Sequence, residues 1–500
     1  MTFIPRIYAL LLILTVIVYW FLGRSQTLKL GILLVVSLFI YASVQVQYIP
    51  LLLLLTLLNF YLGKIIAHQA AKIQQRDEEE KIFFPNPPNP ARKFLIAGVT
   101  LNILLLIGFK YIPFVLNSVA ALLNSSELSY SADWVSDRLS APLGISFFTF
   151  ECIAYLIDVY RGAPSSTKIL EFTSYKLFFP KLISGPITRY HYFQTQLSHL
   201  QPPTVDKFSQ GCWLIVSGAV KKALIADHLA IFVDIAFGNL ERAGSGDLWL
   251  TILAYGLQIY FDFSGYVDIA RGSALLLGFN LPKNFDFPYF SISIADFWRR
   301  WHITLGDWLR NYLYFPLGGS RQGLPKTCLN LLIVMLLAGI WHGAAWGYVV
   351  WGAIHGISLA VHRLAEATSQ RWQWLEKWWQ NSLGICLAWL ITQFVVFFSW
   401  IFFRLPNLNQ ASLVLQHLVN YAGDIQFQQK VYGEALNLER YYLVWMIAIV
   451  ILVMGLDYYC QKKLKLQLNW HIKLVIMPLV LLIVWLFAPE GGLPYIYFDF

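Results

Sequence analysis

Two histidines lie in apolar, tryptophan-rich surroundings, where polar side chains are rare. His342 ends the sequence LLAGIWH, and His302 ends the sequence FWRRWH further upstream. Ionisable side chains at membrane depth are costly, and those that occur usually face a polar cavity or carry chemistry. Because an imidazole titrates near neutrality, it can take a proton from an alcohol and return it to a leaving group. Both are therefore candidate catalytic residues; the alternative is a structural role as interhelical hydrogen-bond partners.

The segment Asp296–Arg310 is predicted to form one helix that carries His302 and separates aromatic from basic side chains. Its two faces hold Trp298, Trp301, Leu305 and Trp308 on one side and Arg299, His302 and Arg310 on the other. Basic residues continue through Arg321 and Lys326. This surface suits an anionic cytosolic donor, because arginine side chains bind phosphate well. The alternatives are a helix whose arginines meet lipid headgroups, and simple anchoring of topology by positive charge.

Gln258 and Asp262 interrupt an apolar segment that is predicted to be helical from Trp249 to Leu277. At this spacing the two side chains share one helical face. A buried carboxylate needs a partner, and the candidates are Arg299, Arg300 or one of the two histidines. A purely structural ion pair is the alternative. Eight residues are expected to support the site or bind substrate: Asp262, Gln258, Trp298, Arg299, Arg300, Trp301, Arg310 and Trp341.

The sequence lacks the common motifs of other transfer and hydrolytic mechanisms. It contains no Gly-x-Ser-x-Gly, His-Glu-x-x-His, Walker loop or Rossmann glycine pattern. The five cysteines are isolated from one another and from histidines at ligand spacing, so we expect no metal and no tightly bound cofactor. Direct transfer assisted by histidine is the simplest chemistry that these residues support.

The composition places these residues in a membrane protein. Of 500 residues, 57% are hydrophobic and only 13% are charged, and the mean hydropathy is +0.56. This excludes an ordinary soluble globular protein, and apolar runs long enough to cross a bilayer recur along the chain. We expect an all-α polytopic fold with about 11–12 transmembrane helices. The net charge of +9 is spread over short loops and forms no compact basic domain, which argues against a nucleic-acid partner.

The charges of the loops predict an orientation in the plasma (inner) membrane. Positive charge and a proline-rich turn place a polar loop from Lys64 to Lys93 in the cytoplasm. The segment Leu281–Lys326 is too polar to span and too apolar for a solvated loop, so we expect re-entrant or interfacial helices there. Both termini then lie outside the cytoplasm. We expect one domain over residues 1–500, with N-terminal helices in 1–117, a catalytic core in 141–361 that includes the re-entrant segment 281–326, and C-terminal helices with an aromatic tail in 380–500.

Several long, ordered segments resemble the membrane-bound O-acyltransferase family, within it the bacterial alginate O-acetylation and teichoic acid D-alanyl transfer branch. The resemblance covers most of the chain. Its segments are PLGISFFTF (142–150), FPKLISGP (179–186), YFDFSGY (260–266), WRRWH (298–302), YFPLGG (314–319) and IWHG (340–343).

The resemblance implies an O-acyltransferase of the EC 2.3.1 class whose helices surround a central tunnel. It implies that His342 is the essential catalytic residue near the middle of that tunnel and that His302 is a second important polar residue. An acyl group, expected to be acetyl, would come from a cytosolic thioester donor, either acetyl-CoA or acyl carrier protein. The acceptor would be a hydroxyl of an exported polysaccharide, and a separate extracytoplasmic acyltransferase partner protein would complete delivery.

The last residues, 494–500 (PYIYFDF), resemble an aromatic C-terminal tail of this branch, which usually reads Phe-x-Tyr-x-x-Phe, with Tyr495 in place of the first phenylalanine. We hypothesise that the Tyr497 hydroxyl relays the acyl group; an interfacial aromatic anchor is the alternative. Two other function classes remain open from sequence: a transporter or flippase of an acylated lipid or glycan, and a non-catalytic scaffold.

Overall fold

The computed structural model describes residues 5–80, 90–138, 140–466, 468–489 and 492–496. These residues form helices and connecting segments, and no β-strand occurs among them, so the predicted all-α class is confirmed. The proline-rich turn at 85–89 lies outside the described residues.

The first ten helices precede the segments that carry the candidate site. They are α1 Pro5–Phe21, α2 Gln26–Gln45, α3 Ile49–Glu80, α4 Pro90–Lys110, α5 Ile112–Leu123, α6 Ser126–Arg138, α7 Ile145–Tyr160, α8 Ile169–Lys176, α9 Tyr190–Leu197 and α10 Val205–Ala219. One predicted boundary here is wrong, because α3 continues through Lys64 to Glu80, and Lys93 lies inside α4. The 64–80 sequence is polar but rich in Ala, Lys, Gln and Glu, which favour helix over loop.

The next seven helices include those that carry the candidate residues. They are α11 Asp227–Phe237, α12 Ser245–Leu276, α13 Ile294–Arg300, α14 Ile303–Leu309, α15 Leu324–His342, α16 Trp346–Ser369 and α17 Gln373–Gln380. Between α12 and α15 every helical piece is at most seven residues long. Such pieces are too short to cross a bilayer, and their depth in the membrane stays a prediction.

Five further helices complete the described chain. They are α18 Ser382–Arg404, α19 Leu408–His417, α20 Ile425–Phe427, α21 Arg440–Tyr458 and α22 Trp470–Phe487. Short 3₁₀ turns occupy Val46–Tyr48, Leu240–Arg242 and Pro288–Phe290, and π-helical stretches occupy Val220–Ala226, Arg310–Tyr314, Gln428–Ala435 and Tyr459–Lys463.

Six segments of the described chain are long and apolar enough to cross a membrane. They are Gln26–Ala71, Pro90–Lys110, Leu324–His342, Ser382–Arg404, Arg440–Lys463 and Trp470–Phe487. The first is 46 residues long and is made of α2 and most of α3, about twice the length that one crossing needs. Two shorter apolar helices, Ile7–Phe21 and Ile112–Leu123, accompany them. These helices indicate a polytopic membrane protein; the predicted total of 11–12 crossings stays a prediction.

The chain divides into two compact units, and the predicted division of one domain into N-terminal helices, catalytic core and C-terminal helices stays a prediction. The first contains the residues up to Gly211 together with Ala270–Pro282, and the second contains Cys212–Ile269 and Lys283–Ile496. In the first unit the core is aromatic around Tyr155, Phe172 and Tyr190, whose ring centroids lie 4.6–5.6 Å apart. Both candidate histidines belong to the second unit.

Helices α15 and α16 of the second unit pack closely because glycines lie where they meet. A methyl group on Gly339 would lie 2.2 Å from the Tyr348 carbonyl oxygen, and one on Gly352 would lie 2.5 Å from the Met335 carbonyl oxygen. Small residues permit this approach of two helix backbones within a membrane. The close packing fixes the end of α15, where His342 is located.

Candidate active site

His302 lies at a break between two short helices. The Ser293 side chain caps α13 by accepting a hydrogen bond from the Asp296 backbone N–H (3.0 Å), and α13 ends at Arg300. His302 then adopts a left-handed backbone conformation, with φ of 42°, directly before α14. The predicted continuous helix over Asp296–Arg310 is therefore wrong. Histidine is among the few residues other than glycine that are enriched in this conformation.

The preceding segment holds the break in place through Asn284. Its backbone carbonyl accepts a hydrogen bond from the Ile303 N–H (2.9 Å). Its side-chain oxygen accepts from the Thr304 N–H (3.1 Å) and the Thr304 hydroxyl (2.6 Å). These bonds satisfy donors in the first turn of α14 that have no partner within the helix itself.

The turn places the His302 ring in the interior of the second unit. The side chain is 0% exposed, and its ring lies edge-on to Phe263 with centroids 4.8 Å apart. Arg299 and Arg310, by contrast, are exposed. The prediction that His302 shares a face with these arginines is wrong, because the chain changes direction between α13 and α14.

His342 is the last residue of α15 and is 2% exposed. Its ring lies 5.1 Å from both Trp351 and Phe403, measured between centroids. The next residue, Gly343, leaves room for the Tyr348 ring, because a methyl group there would lie 2.0 Å from a Tyr348 ring carbon. Tyr348 in turn packs edge-on against Phe403 at 5.3 Å.

The Trp341 ring lies close to both candidate histidines. Its centroid is 4.8 Å from that of His342 and 6.3 Å from that of His302. Trp301 joins the same cluster through Trp400, 5.1 Å away, and Trp400 lies 5.3 Å from Phe403. The structure therefore brings together the pairs Trp301–His302 and Trp341–His342, which lie 40 residues apart in sequence.

Trp298 reaches the cluster through His355. The Trp298 indole N–H donates to His355 Nδ1 at 3.3 Å, and His355 Nε2 lies 2.9 Å from the Ser399 hydroxyl. With Nδ1 as acceptor, the proton of a neutral ring is on Nε2 and is donated to Ser399. Both ring nitrogens of this buried histidine are engaged, as a structural histidine requires.

Asp262 has a partner that the sequence interpretation missed. It is buried in α12, and its Oδ1 accepts a hydrogen bond from Lys222 Nζ at 2.7 Å. Its Oδ2 accepts from the Ile496 backbone N–H at 2.9 Å. The predicted partners Arg299, Arg300, His302 and His342 are therefore wrong. Gln258, one turn earlier in α12, is buried as well.

The predicted basic side chains lie nearer the surface of the second unit. Arg300 is partly exposed and forms an ion pair with Asp296 (Nε to Oδ2, 3.0 Å), and Arg310 pairs with Asp307. Asp296 lies on the same helix as Arg300, and Asp307 lies three residues before Arg310. The proposed role of these arginines toward an anionic donor stays a prediction.

Other expectations are not reached by the described residues. Tyr497 lies outside them, so the relay hypothesis stays a prediction, as does the tunnel. Sequence reasoning also missed Trp351 and Phe403, which contact His342. It missed Lys222 too, although two adjacent lysines in an otherwise apolar segment were a usable signal.

The arrangement supports proton transfer within an aromatic enclosure. A neutral imidazole has one nitrogen that accepts a proton and one that donates. Exclusion of water by the surrounding rings strengthens electrostatic interactions with charge that develops during a reaction.

Comparison with known proteins identifies the family of this chain. The sequence pattern of MBOAT, the membrane-bound O-acyltransferase family, matches residues 99–401, a range that includes both histidines. "Probable alginate O-acetylase AlgI" of Pseudomonas putida is 38% identical over 401 residues, 80% of this chain and 76% of that protein. "Peptidoglycan O-acetyltransferase" of Helicobacter pylori is 35% identical over 425 residues, 78% of this chain and 74% of that protein. "Teichoic acid D-alanyltransferase" of Bacillus subtilis is 28% identical over 280 residues, 54% of this chain and 70% of that protein.

Proposed function

The chain belongs to the membrane-bound O-acyltransferase family, and from this premise we propose that it transfers an acetyl group from a cytosolic thioester to an exported polysaccharide. Relatives named for O-acetylation of alginate and of peptidoglycan support a polysaccharide acceptor and an acetyl group. Family membership and the six apolar helices make it a multi-pass membrane enzyme. We place it in the plasma (inner) membrane with both termini outside the cytoplasm, as the loop charges favour.

One observation carries the proposal: two buried histidines, one at the break before α14 and one at the end of α15, meet the ring of one tryptophan. His302 and His342 lie 6.3 and 4.8 Å from the Trp341 centroid. We assign His342 the role of general base and His302 that of a second polar group at the reacting centre. Trp341 packs against both rings, while Trp298, Trp301, Gln258 and Asp262 support the surrounding elements.

The proposed reaction needs one proton to be moved twice. His342 takes the proton of the attacking hydroxyl while the hydroxyl oxygen forms a bond to the thioester carbonyl carbon. The tetrahedral intermediate collapses, the carbon–sulfur bond breaks, and the leaving thiolate receives that proton from the imidazolium. The products are an ester and a free thiol, and neither a metal nor a redox cofactor is needed.

The thioester donor, acetyl-CoA or acyl carrier protein, would enter from the cytoplasm. Arg299, Arg300 and Arg310 offer guanidinium groups that match phosphate or carboxylate groups on such a donor. Two of them are exposed, which permits contact with a large soluble donor.

Tyr497 would accept the acyl group as an ester and pass it on at the outer face, in keeping with the relay hypothesis. An extracytoplasmic acyltransferase partner protein would then move the group to the polysaccharide. In this scheme the first acceptor hydroxyl is that of Tyr497, and the histidine chemistry is unchanged.

The decisive experiment is mass spectrometry of purified exported polysaccharide from cells that express the wild type or His342→Ala. General acid–base catalysis contributes about 10²–10⁴-fold, so O-acetylation should fall at least about 100-fold at equal membrane levels of protein. His355→Asn is the matched control, since it alters another buried histidine that has no proposed catalytic role; acetylation should fall far less. Unchanged acetylation in His342→Ala would contradict the proposal and favour transport without chemistry.

A further inference from the structure

The described end of the C-terminal tail, Pro494 to Ile496, docks on a buried charge cluster of the second unit. We define the tail latch as Lys222, Asp227 and Asp262, which belong to the π-helical stretch Val220–Ala226, to α11 and to α12. All three are buried, with 2–8% of their surface exposed. Buried ionised groups are stable only where each finds partners.

The Lys222 ammonium contacts three oxygen atoms: it donates hydrogen bonds to Asp262 Oδ1 and to the Pro494 carbonyl oxygen, and it forms an ion pair with Asp227. Its nitrogen lies 2.7 Å from Asp227 Oδ1, 2.7 Å from Asp262 Oδ1 and 3.0 Å from the Pro494 carbonyl oxygen. One of the three partners is therefore backbone of the tail.

Asp262 accepts a hydrogen bond from the tail, whereas Lys222 donates one to it. Its Oδ2 accepts the Ile496 backbone N–H at 2.9 Å, while Oδ1 accepts from Lys222. The tail thus supplies one acceptor to the cation and one donor to the carboxylate. Because both contacts use backbone atoms two residues apart, they fix the position and direction of the chain at this point.

Aromatic contacts add to the docking. The Tyr495 ring lies over the Lys222 ammonium, with the nitrogen 4.6 Å from the ring centroid, and packs edge-on against Tyr266 at 5.0 Å. A cation over an aromatic face is attracted by the ring quadrupole. Both the side chain and the backbone of residues 494–496 therefore recognise the same lysine.

We propose that Lys222 and Asp262 are positioning residues that hold the C-terminal tail against the second unit. Ile496 directly precedes Tyr497 in sequence, so the tail latch fixes the backbone position from which the proposed relay residue continues. The docking stands on the contacts above, whereas its consequence for acyl transfer rests on the proposed function.

A neighbouring pair provides a matched control. Lys221 Nζ lies 2.5 Å from Asp268 Oδ2, and these residues belong to the same two elements as Lys222 and Asp262. Loss of Lys221 removes an ion pair of the same kind without removing the ammonium that binds Pro494.

The docking is tested by thiol labelling of Ile496→Cys in the full-length protein with its five natural cysteines replaced by serine. This change keeps the backbone N–H that Asp262 accepts. Maleimide labelling should become at least about tenfold faster with Lys222→Met, because hydrogen bonds to a buried charge are lost and local opening increases. It should change less than about twofold with Lys221→Met, and Lys222→Arg should restore slow labelling.

Asp262→Asn is a second test that leaves Lys222 paired with Asp227, and it should also speed the labelling. Equal labelling rates in Lys222→Met and Lys221→Met, in monodisperse protein, would overturn the docking. If tail docking supports acyl transfer, Lys222→Met should have a lower kcat with an unchanged KM for the donor. A normal kcat together with fast labelling would overturn the role in acyl transfer but not the docking. Labelling needs no acyl transfer, so a failure of the histidine proposal leaves this test intact.

Discussion

The two units each bury a group of three ionised side chains, but the groups have opposite composition. In the first unit one carboxylate, Glu151, lies 3.1 Å from Lys176 Nζ and 2.5 Å from Lys181 Nζ. In the tail latch of the second unit one lysine meets two carboxylates. One group therefore carries an excess of positive charge and the other an excess of negative charge.

The groups also differ in what completes them. Lys176 Nζ donates to the Phe148 carbonyl at 2.9 Å, and the Thr188 N–H donates to Glu151 at 3.1 Å. All these partners lie between Phe148 and Thr188, within 40 residues of one another. The tail latch instead takes Pro494, which is 272 residues from Lys222. The comparison teaches that one charge cluster supports its local fold, while the other depends on a distant segment of chain.

The largest effect on stability is expected from Glu151→Gln. This change leaves two lysines, 0% and 2% exposed, without their carboxylate, and breaking a buried pair in this way costs about 3–5 kcal/mol. Thermal unfolding in detergent micelles should show a clear fall in melting temperature. Glu171→Gln is the control, because its partner Lys168 is 70% exposed and the pair contributes at most about 1 kcal/mol. Equal effects of the two changes would contradict a supporting role for the first cluster.

A smaller effect would sharpen the contrast within the tail latch. Asp262→Asn and Asp227→Asn each remove one carboxylate charge, but the Ile496 N–H bonds to Asp262. Asp262→Asn should lower stability by about 1–3 kcal/mol, the range for a hydrogen bond to a charged group, and should release the tail. Asp227→Asn should release the tail less, because Asp227 bonds to the Leu493 backbone whereas Asp262 keeps its bonds to both Lys222 and the Ile496 N–H. Hydrogen exchange of the 492–496 segment, measured by mass spectrometry, distinguishes the two, and identical exchange would show that the carboxylates act as one unit.

The smallest effect concerns Asp286, a partly exposed carboxylate at the edge of the second unit. Burial tends to raise the pKa of Asp286, but the hydrogen bond from Lys462 and the charge of Lys283 hold that pKa below its ordinary value. A carboxyl pKa that is lower in the folded than in the unfolded state stabilises the fold at pH values above the unfolded-state pKa of about 4. This stabilisation is lost as the pH falls through the folded-state pKa. Asp286→Asn should therefore melt slightly earlier than the wild type at pH 7, and the difference in melting temperature should shrink as the pH falls below about 4. A difference that does not shrink on acidification would contradict this account.

The sequence predicted the class of fold and the two histidines because both depend on composition and residue type. A histidine that ends a run such as LLAGIWH is conspicuous whatever the tertiary structure, since a polar side chain in that setting needs a reason. The pairing of these histidines through Trp341 could not be predicted, because it depends on how α15 packs against the α13–α14 segment.

Two predictions from the sequence were wrong because contacts between distant segments decided the structure. Helical periodicity predicted one helix through His302, but Asn284, which is distant in sequence, binds the first turn of α14 and stabilises the break. The partner of Asp262 was predicted to be Arg299, Arg300 or one of the two histidines, which all lie downstream, yet Lys222 lies 40 residues upstream and meets it through the packing of two helices. Periodicity describes a local segment and does not report such long-range contacts.

Gly343 has a consequence for engineering of the enzyme. Any larger residue there must displace the Tyr348 ring, which packs on Phe403, and Phe403 touches His342. The displacement caused by a single added methyl group would thus pass through the Tyr348 and Phe403 rings to His342, the proposed base. Libraries designed to change the transferred acyl group should keep glycine at position 343 and vary residues whose side chains have room to move.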